Sequence, residues 1–186
     1  MREFDNEIVG GKELNHLEEL TTEWLNYNGY FTRTAIRVGR RALGGYDGEL
    51  DVIGYHPDTK HFVHVECSMD ALTWDKREQR FARKLELGRE YASSHFKGMG
   101  APEEFDQIVL HGFAGAATSH RSIGGGRLVT STELVAEIGC CIPRNSARSA
   151  VPENFPLLRT LQLALMAGAQ FARPSCKVIP TASSIQ

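Results

Sequence analysis

Two stretches of this chain decide the fold, GELDVI at residues 48–53 and FVHVECS at residues 62–68, joined by the turn-forming segment HPDT at residues 56–59. Both stretches alternate polar and apolar residues with the two-residue period of a β-strand. In the second stretch the alternation places Val63, Val65 and Cys67 on one face and His64, Glu66 and Ser68 on the other. The sequence therefore predicts two antiparallel strands connected by a short turn.

Asp51 and Glu66 are acidic residues inside these otherwise strand-like runs. Adjacent antiparallel strands can bring both carboxylates together on one face of the sheet. Burying two anions side by side is costly unless a cation neutralises them. Mg²⁺ accepts one or two carboxylates together with waters and phosphate oxygens, so a magnesium site for phosphodiester chemistry is one interpretation of this pair. The alternative is that these acids belong to a solvent-exposed strand face without a functional role.

The rest of the chain predicts further helices and strands around this hairpin. Helical periodicity, turn residues and caps predict these segments: helix Glu13–Asn28, strand Tyr30–Val38, a glycine-rich loop or hairpin end Gly39–Gly48, helix Trp74–Ser94, strand Phe105–His111, strand Arg127–Thr130, helix Ser131–Ile138 capped at Ser131 or Thr132, helix Glu153–Gly168, and a loose tail Pro174–Gln186. A hairpin followed by a strand–helix–strand unit predicts an α/β fold with a central mixed sheet flanked by helices. We expect one domain over residues 1–186, with its core at about 13–168.

Over about residues 13–111, this pattern resembles the PD-(D/E)xK superfamily of restriction-endonuclease-like nucleases. The strand GELDVI, the turn and the strand FVHVECS are similar to the core of Holliday-junction resolvase-like small nucleases, and the order of the surrounding elements also matches. The resemblance implies that Asp51 and Glu66 hold Mg²⁺ or Mn²⁺, with Glu49 as a further metal ligand. It also implies that Glu19 or Glu23 of the first helix is an accessory acid.

One position departs from that family pattern. The family has a lysine two residues after the glutamate, and this chain has Ser68 there. A neutral hydroxyl cannot replace a cation that positions water and stabilises developing negative charge. The first turns of the Trp74 helix offer the replacement, with Lys76 preferred over Arg77 and Arg80. The predicted catalytic set is therefore Asp51, Glu66, Ser68 and Lys76.

Basic residues on the Trp74 helix suggest a phosphate track. We take Arg77, Arg80, Arg83 and Lys84 as candidate nucleic-acid contacts, against the alternative of a solvated helix face. His64 lies on the same strand face as Glu66, and two interpretations are open: it assists catalysis, or it is a half-buried polar residue that pairs with a neighbour.

Composition is that of a globular protein, with a net charge of −2 that hides an uneven distribution. Residues 111–186 contain seven Lys and Arg against three Asp and Glu, a balance of +4, so a local basic face remains compatible with DNA. The four cysteines lack zinc-ligand spacing and predict thiols without a structural metal. No segment is typical of a signal peptide or membrane span, which makes the cytoplasm the expected location.

Three functions remain open at this point. The first is a Mg²⁺- or Mn²⁺-dependent DNA endonuclease, for which a homodimer would provide two sites for two strands. The second is a catalytically inactive protein of the same fold that binds nucleic acid or a protein partner. The third is an unrelated α/β structural or partner-binding domain.

Overall fold

The computed structural model describes residues 15–100, 102, 105–112, 120–143, 150–170 and 178–179. In this part of the chain six strands form a single mixed sheet of order β1-β2-β3-β4-β6-β5. The strands are β1 Phe31–Arg40, β2 Tyr46–His56, β3 His61–Ser68, β4 Asp106–His111, β5 Ser122–Ile123 and β6 Gly126–Thr130. The helices are α1 His16–Tyr27, α2 Trp74–Tyr91, α3 Ser131–Cys141 and α4 Pro156–Met166, and a 3-10 turn at Ala92–Phe96 follows α2.

The sheet combines a meander with a parallel crossover. Strands β1, β2 and β3 are antiparallel neighbours, whereas β4 pairs with both β3 and β6 in parallel. Helix α2 makes the crossover from β3 to β4, because parallel neighbours need a long connection that returns the chain to the starting edge. The predicted α/β architecture with a mixed sheet and flanking helices is confirmed at this level.

Apolar residues cover both faces of the sheet. One face packs against α1, α3 and α4, and its buried core includes Val63, Val65 and Cys67 of β3, as the alternation predicted. On the other face, Phe81 and Leu85 of α2 are fully buried against the sheet. The polar positions of β3 point to this second face and are buried there, whereas a strand in a one-sided sheet would expose them to water.

The structure differs from the sequence prediction at several element ends. Residues 39–48, predicted as a loop or hairpin end, form the end of the β1–β2 hairpin, and half of them are strand because β1 continues to Arg40 and β2 begins at Tyr46. The glycines at 44 and 45 have positive φ values of 95° and 82° and confine the turn to residues 41–45. Helix α3 is capped by Thr130, which forms a capping box with Glu133, instead of by Ser131 or Thr132.

Other predictions concern segments that are only partly described. Residue 13 and most of the tail 174–186 lie outside the described residues, apart from Val178 and Ile179, which are buried in the main core. The two-residue strand β5 was not predicted, since so short a strand has no detectable period. Among the described residues, no helix combines the length and hydrophobicity required to cross a membrane.

Candidate active site

Strands β2 and β3 bring Asp51 and Glu66 together. The antiparallel register pairs Val52 with Val65, which places Asp51 opposite Glu66 on the face that α2 covers. The backbone N–H of Asp51 donates to Glu66 Oε1 at 3.4 Å, and the backbone N–H of Cys67 donates to Asp51 Oδ2 at 2.9 Å. The residues are only 3% and 0% exposed, so two carboxylates lie side by side in the interior.

Helix α2 supplies the cation that compensates them. The Lys84 ammonium donates to Asp51 Oδ1 at 2.9 Å and Oδ2 at 3.0 Å, and it forms an ion pair with Glu66 Oε2. The Lys84 side chain is 21% exposed, so the amine connects the buried acids to solvent. Buried carboxylates are costly unless a cation lies close to them, and Lys84 is that cation for both acids.

The two carboxyl groups differ in acidity. Burial and the adjacent Glu66 carboxylate raise the pKa of Asp51 to about 7, although the Lys84 ammonium opposes them. Burial also acts to raise the pKa of Glu66, but the hydrogen bond and charge of His64, together with the charge of Lys84, lower that pKa to about 2. The pair titrates as a unit, and its first added proton goes to Asp51. Burial also disfavours the Lys84 ammonium, but the two carboxylates outweigh it and raise the pKa of Lys84.

His64 holds Glu66 from the side opposite Lys84. Its Nε2 lies 2.7 Å from Glu66 Oε1, and both side chains are completely buried. The amide of Gln107 lies 3.3 Å from His64 Nδ1 and donates to the Leu85 carbonyl at 2.7 Å. A Cβ on Gly88 of α2 would come within 2.2 Å of His64 Nδ1, so glycine is needed for the helix to pass over the imidazole. Of the two interpretations of His64, the structure places it as a buried partner of Glu66.

A second polar cluster surrounds Asp70, just beyond the end of β3. Ser68 Oγ donates to Asp70 Oδ2 at 2.6 Å, and Arg77 Nε and Arg80 Nη1 donate to the same carboxylate at 2.9 Å each. Partial burial opposes ionisation, but these donors hold the pKa of Asp70 well below its usual range. Ser68, at the position of the family lysine, is therefore hydrogen-bonded to an acid.

The structure places Lys84, not Lys76, at the two carboxylates. Eight residues of helix separate the two lysines, which is about 12 Å along the axis at 1.5 Å per residue. Lys76 is exposed, and Lys84 is therefore the α2 cation that meets Asp51 and Glu66. Of the other predicted phosphate contacts, Arg77 and Arg80 are engaged by Asp70, and Arg83 is exposed.

The predicted additional acids are not assembled with the central pair. Among the described residues, no group of three or more His, Cys, Asp and Glu side chains converges in a way that could hold a metal, so Glu49 does not complete a three-ligand set. Glu23 instead accepts the backbone N–H groups of Leu157 and Leu158 at 3.1 and 3.0 Å, and it caps the start of α4. Glu19 is exposed on α1.

The central pair nevertheless has the donor chemistry of a hard-cation site. Two adjacent carboxylates are the protein ligands that Mg²⁺ accepts when waters and substrate oxygens complete its coordination. Glu66 Oε2 is buried and accepts no hydrogen bond, which leaves the Lys84 ammonium as its charge partner. The residues present therefore fit a divalent ion bound through two carboxylates.

Sequence reasoning missed two parts of this arrangement. Lys84 was predicted as a nucleic-acid contact and not as the partner of the two acids, yet it follows Phe81 by three residues and precedes Gly88 by four, which puts it at the edge of the buried stripe. Asp70 was not singled out, although an acid directly after a strand and before two arginines three residues apart is a recognisable signal.

Comparison with protein-family models, with curated proteins and with solved structures finds no match for this chain.

Proposed function

We propose that this protein is a metal-dependent nuclease with a restriction-endonuclease-like fold, which hydrolyses phosphodiester bonds of DNA. The observation that carries the proposal is the meeting of Asp51, Glu66 and Lys84 at one point. Asp51 and Glu66 come from two strands, Lys84 comes from a helix and follows Asp51 by 33 residues, and each contacts the others directly. Two acids and one lysine are the chemical set that the PD-(D/E)xK resemblance implies, with the lysine displaced to a neighbouring helix.

The order of elements supports the same proposal. A helix, a β-hairpin, a third antiparallel strand, a long crossover helix and a parallel strand follow one another in the chain. This is the order on which the resemblance was based, and it places the acids on adjacent strands under the crossover helix. Fold likeness alone does not specify an activity, so the site residues carry the functional argument.

Each residue of the site has a role in this chemistry. Asp51 and Glu66 would hold Mg²⁺ or Mn²⁺, which when bound would polarise a phosphate oxygen and make water a better nucleophile. Lys84 places a positive charge beside both carboxylates, where it can orient a water molecule and stabilise the charge that develops on phosphate. His64 keeps the Glu66 carboxylate oriented through a 2.7 Å contact.

A second function, nucleic-acid binding without cleavage, is favoured by a specific observation. Lys84 already contacts both carboxylates, and one ammonium of this kind can neutralise the acids as a purely structural ion pair. Ser68, at the position of the family lysine, is engaged with Asp70 and offers no cation. In this alternative the fold would retain a binding surface after its chemistry was lost.

Incubation of the protein with supercoiled, linear and branched DNA in Mg²⁺ or Mn²⁺ tests the two functions. We expect cleavage that is lost in Asp51→Ala and Glu66→Ala and reduced about 10²- to 10³-fold in Lys84→Ala, the loss typical of a removed charge-stabilising donor. Lys76→Ala is the matched control, since it removes a lysine from an exposed position of the same helix. Binding without cleavage in either metal would reject the nuclease and favour the second function, and equal effects of Lys84→Ala and Lys76→Ala would reject the role of Lys84.

A further inference from the structure

The β1–β2 hairpin extends beyond the end of the sheet. The register that pairs Val52 with Val65 brings the last residue of β3, Ser68, opposite Glu49. Residues of β2 before Glu49 therefore have only β1 as a neighbouring strand, through the pairs Val38 with Gly48 and Arg40 with Tyr46, and Leu87 of α2 lies beside Gly48 at the base of this segment. We call residues 37–48 the hairpin arm. It projects from the same end of the sheet as the Asp51–Glu66 pair.

The arm is rich in arginine. Three of its first five residues are Arg37, Arg40 and Arg41, and all three are exposed. Arg41 forms an ion pair with Asp47 at 2.8 Å, and the guanidinium of Arg37 lies 5.7 Å from the centre of the Tyr46 ring. Arg40 forms no ion pair with any described residue. The arm thus presents more positive charge than its own acid neutralises, in a protein whose net charge is −2.

The tip of the arm carries an apolar residue that nothing in the described chain covers. Leu43 is wholly exposed, and Gly44 and Gly45 after it have open space around them where a side chain would be. An exposed leucine on its own is ordinary. Between two exposed arginines and an exposed tyrosine, however, it completes a set of basic, aromatic and apolar groups on a narrow two-stranded ribbon.

We propose that the hairpin arm is a docking surface for double-stranded nucleic acid, with its arginines on the phosphates and Leu43 entering a groove. A two-stranded ribbon fits a groove of a duplex, and apolar side chains at such tips are inserted between base steps. Tyr46 and Asp51 are five residues apart on one strand, or about 17 Å at ~3.3 Å per residue. A phosphate at the Asp51–Glu66 pair would therefore leave the adjoining groove within reach of the arm.

Charge and shape favour a nucleic-acid duplex over other partners of the arm. The connection between duplex binding by the arm and DNA cleavage rests on the proposed nuclease function. Phosphate backbones attract clustered arginines, and each contact contributes to a steep salt dependence of binding. The arm has one exposed leucine and one exposed tyrosine, which is a small apolar area for a protein–protein interface. A second copy of the chain or another protein would be a different outcome of the test below.

Fluorescence anisotropy with a labelled duplex, measured without divalent ions over a series of salt concentrations, tests the proposal. We expect the Arg40→Ala, Arg41→Ala double variant to weaken binding about tenfold or more and to reduce the salt slope by about two, near 0.9 per lost phosphate contact. Leu43→Ala should weaken binding without changing that slope. The matched control is the Lys60→Ala, Lys97→Ala double variant, which removes the same charge from exposed positions at the opposite end of the sheet.

Unchanged binding in the arm variant, or equal weakening in the control, would overturn the proposal. So would an arm variant that alters only the mass measured by sedimentation, because the arm would then join two copies of the chain. The result is separable from the nuclease assay. If the protein cleaves no DNA but the arm variant loses duplex affinity, the arm is supported as a binding surface and the nuclease function is rejected. If the arm variant cleaves and binds normally, the nuclease function is supported and the role of the arm is rejected.

Discussion

Replacing Lys84 with methionine would remove the ammonium from the Asp51–Glu66 pair while keeping most of the side-chain volume. Three carboxylate oxygens lose their cation, and the two acids are almost fully buried. Removing one partner of a buried ion pair typically costs about 3–5 kcal/mol. Because the Lys84 side chain is 21% exposed and water screens part of the interaction, we expect a loss of about 3 kcal/mol near pH 8.

The loss should shrink as the pH falls. The pKa of Asp51 is raised from 3.8 to about 7 in the folded protein, so the folded state binds more protons and Asp51 costs stability as the pH rises through that window. At about pH 5, below that raised pKa, Asp51 already carries a proton in the folded protein, so less negative charge depends on Lys84 for compensation. We therefore expect Lys84→Met to cost less than about 2 kcal/mol at that pH.

Urea denaturation followed by circular dichroism at both pH values measures these differences, with Lys76→Met as the control. Mg²⁺ or Mn²⁺ at a hundredfold excess over Kd should stabilise Lys84→Met by about 2.7 kcal/mol and the unmodified chain by less, because in the variant the ion no longer competes with the ammonium. A destabilisation that is the same at both pH values, or no greater than that of Lys76→Met, would refute the assignment of Lys84 as the compensating cation.

Three further outcomes follow from the packing around the site. Gly88→Ala should destabilise the protein by about 1–3 kcal/mol in thermal unfolding, because its Cβ would lie 2.2 Å from His64 Nδ1, and a loss below about 0.5 kcal/mol would show that α2 shifts freely. Glu23→Ala should lower the free energy of unfolding by about 0.5–2 kcal/mol, because it removes the acceptor at the start of α4. Glu23→Gln keeps one carbonyl oxygen and should lower it less. Equal losses for the two variants in urea denaturation would contradict the capping role. If the nuclease proposal holds, adding Ser68→Lys to Lys84→Ala should restore part of the lost cleavage, because residues 66 and 68 lie on the same face of β3. Plasmid cleavage by this double variant that is no faster than cleavage by Lys84→Ala would argue against a displaced lysine.

The local pattern of the sequence was sufficient for much of the fold. Alternation in β3 predicted which of its side chains face the main core, because a strand has only two faces and only one of them carried an uninterrupted apolar set. The same alternation placed Asp51 and Glu66 on adjacent strands, since a short turn leaves few registers. Strand ends were predicted less well, as in the arm, where residues 39–48 were predicted as a loop or hairpin end and the structure confines the turn to residues 41–45.

Tertiary structure decided which side chains meet. Alternation and spacing put Asp51 and Glu66 within reach of one another from the sequence alone, because the interval between them spans only one turn. The identity of their cation depended on where α2 crosses the sheet, because Lys84 is 33 residues from Asp51 and no local sequence pattern specifies that crossing. Lys84 rather than Lys76 reaches the acids because the second half of α2 lies over them, where Gly88 also allows the helix to pass closely over His64, and these contacts join elements that are neighbours only in the folded chain.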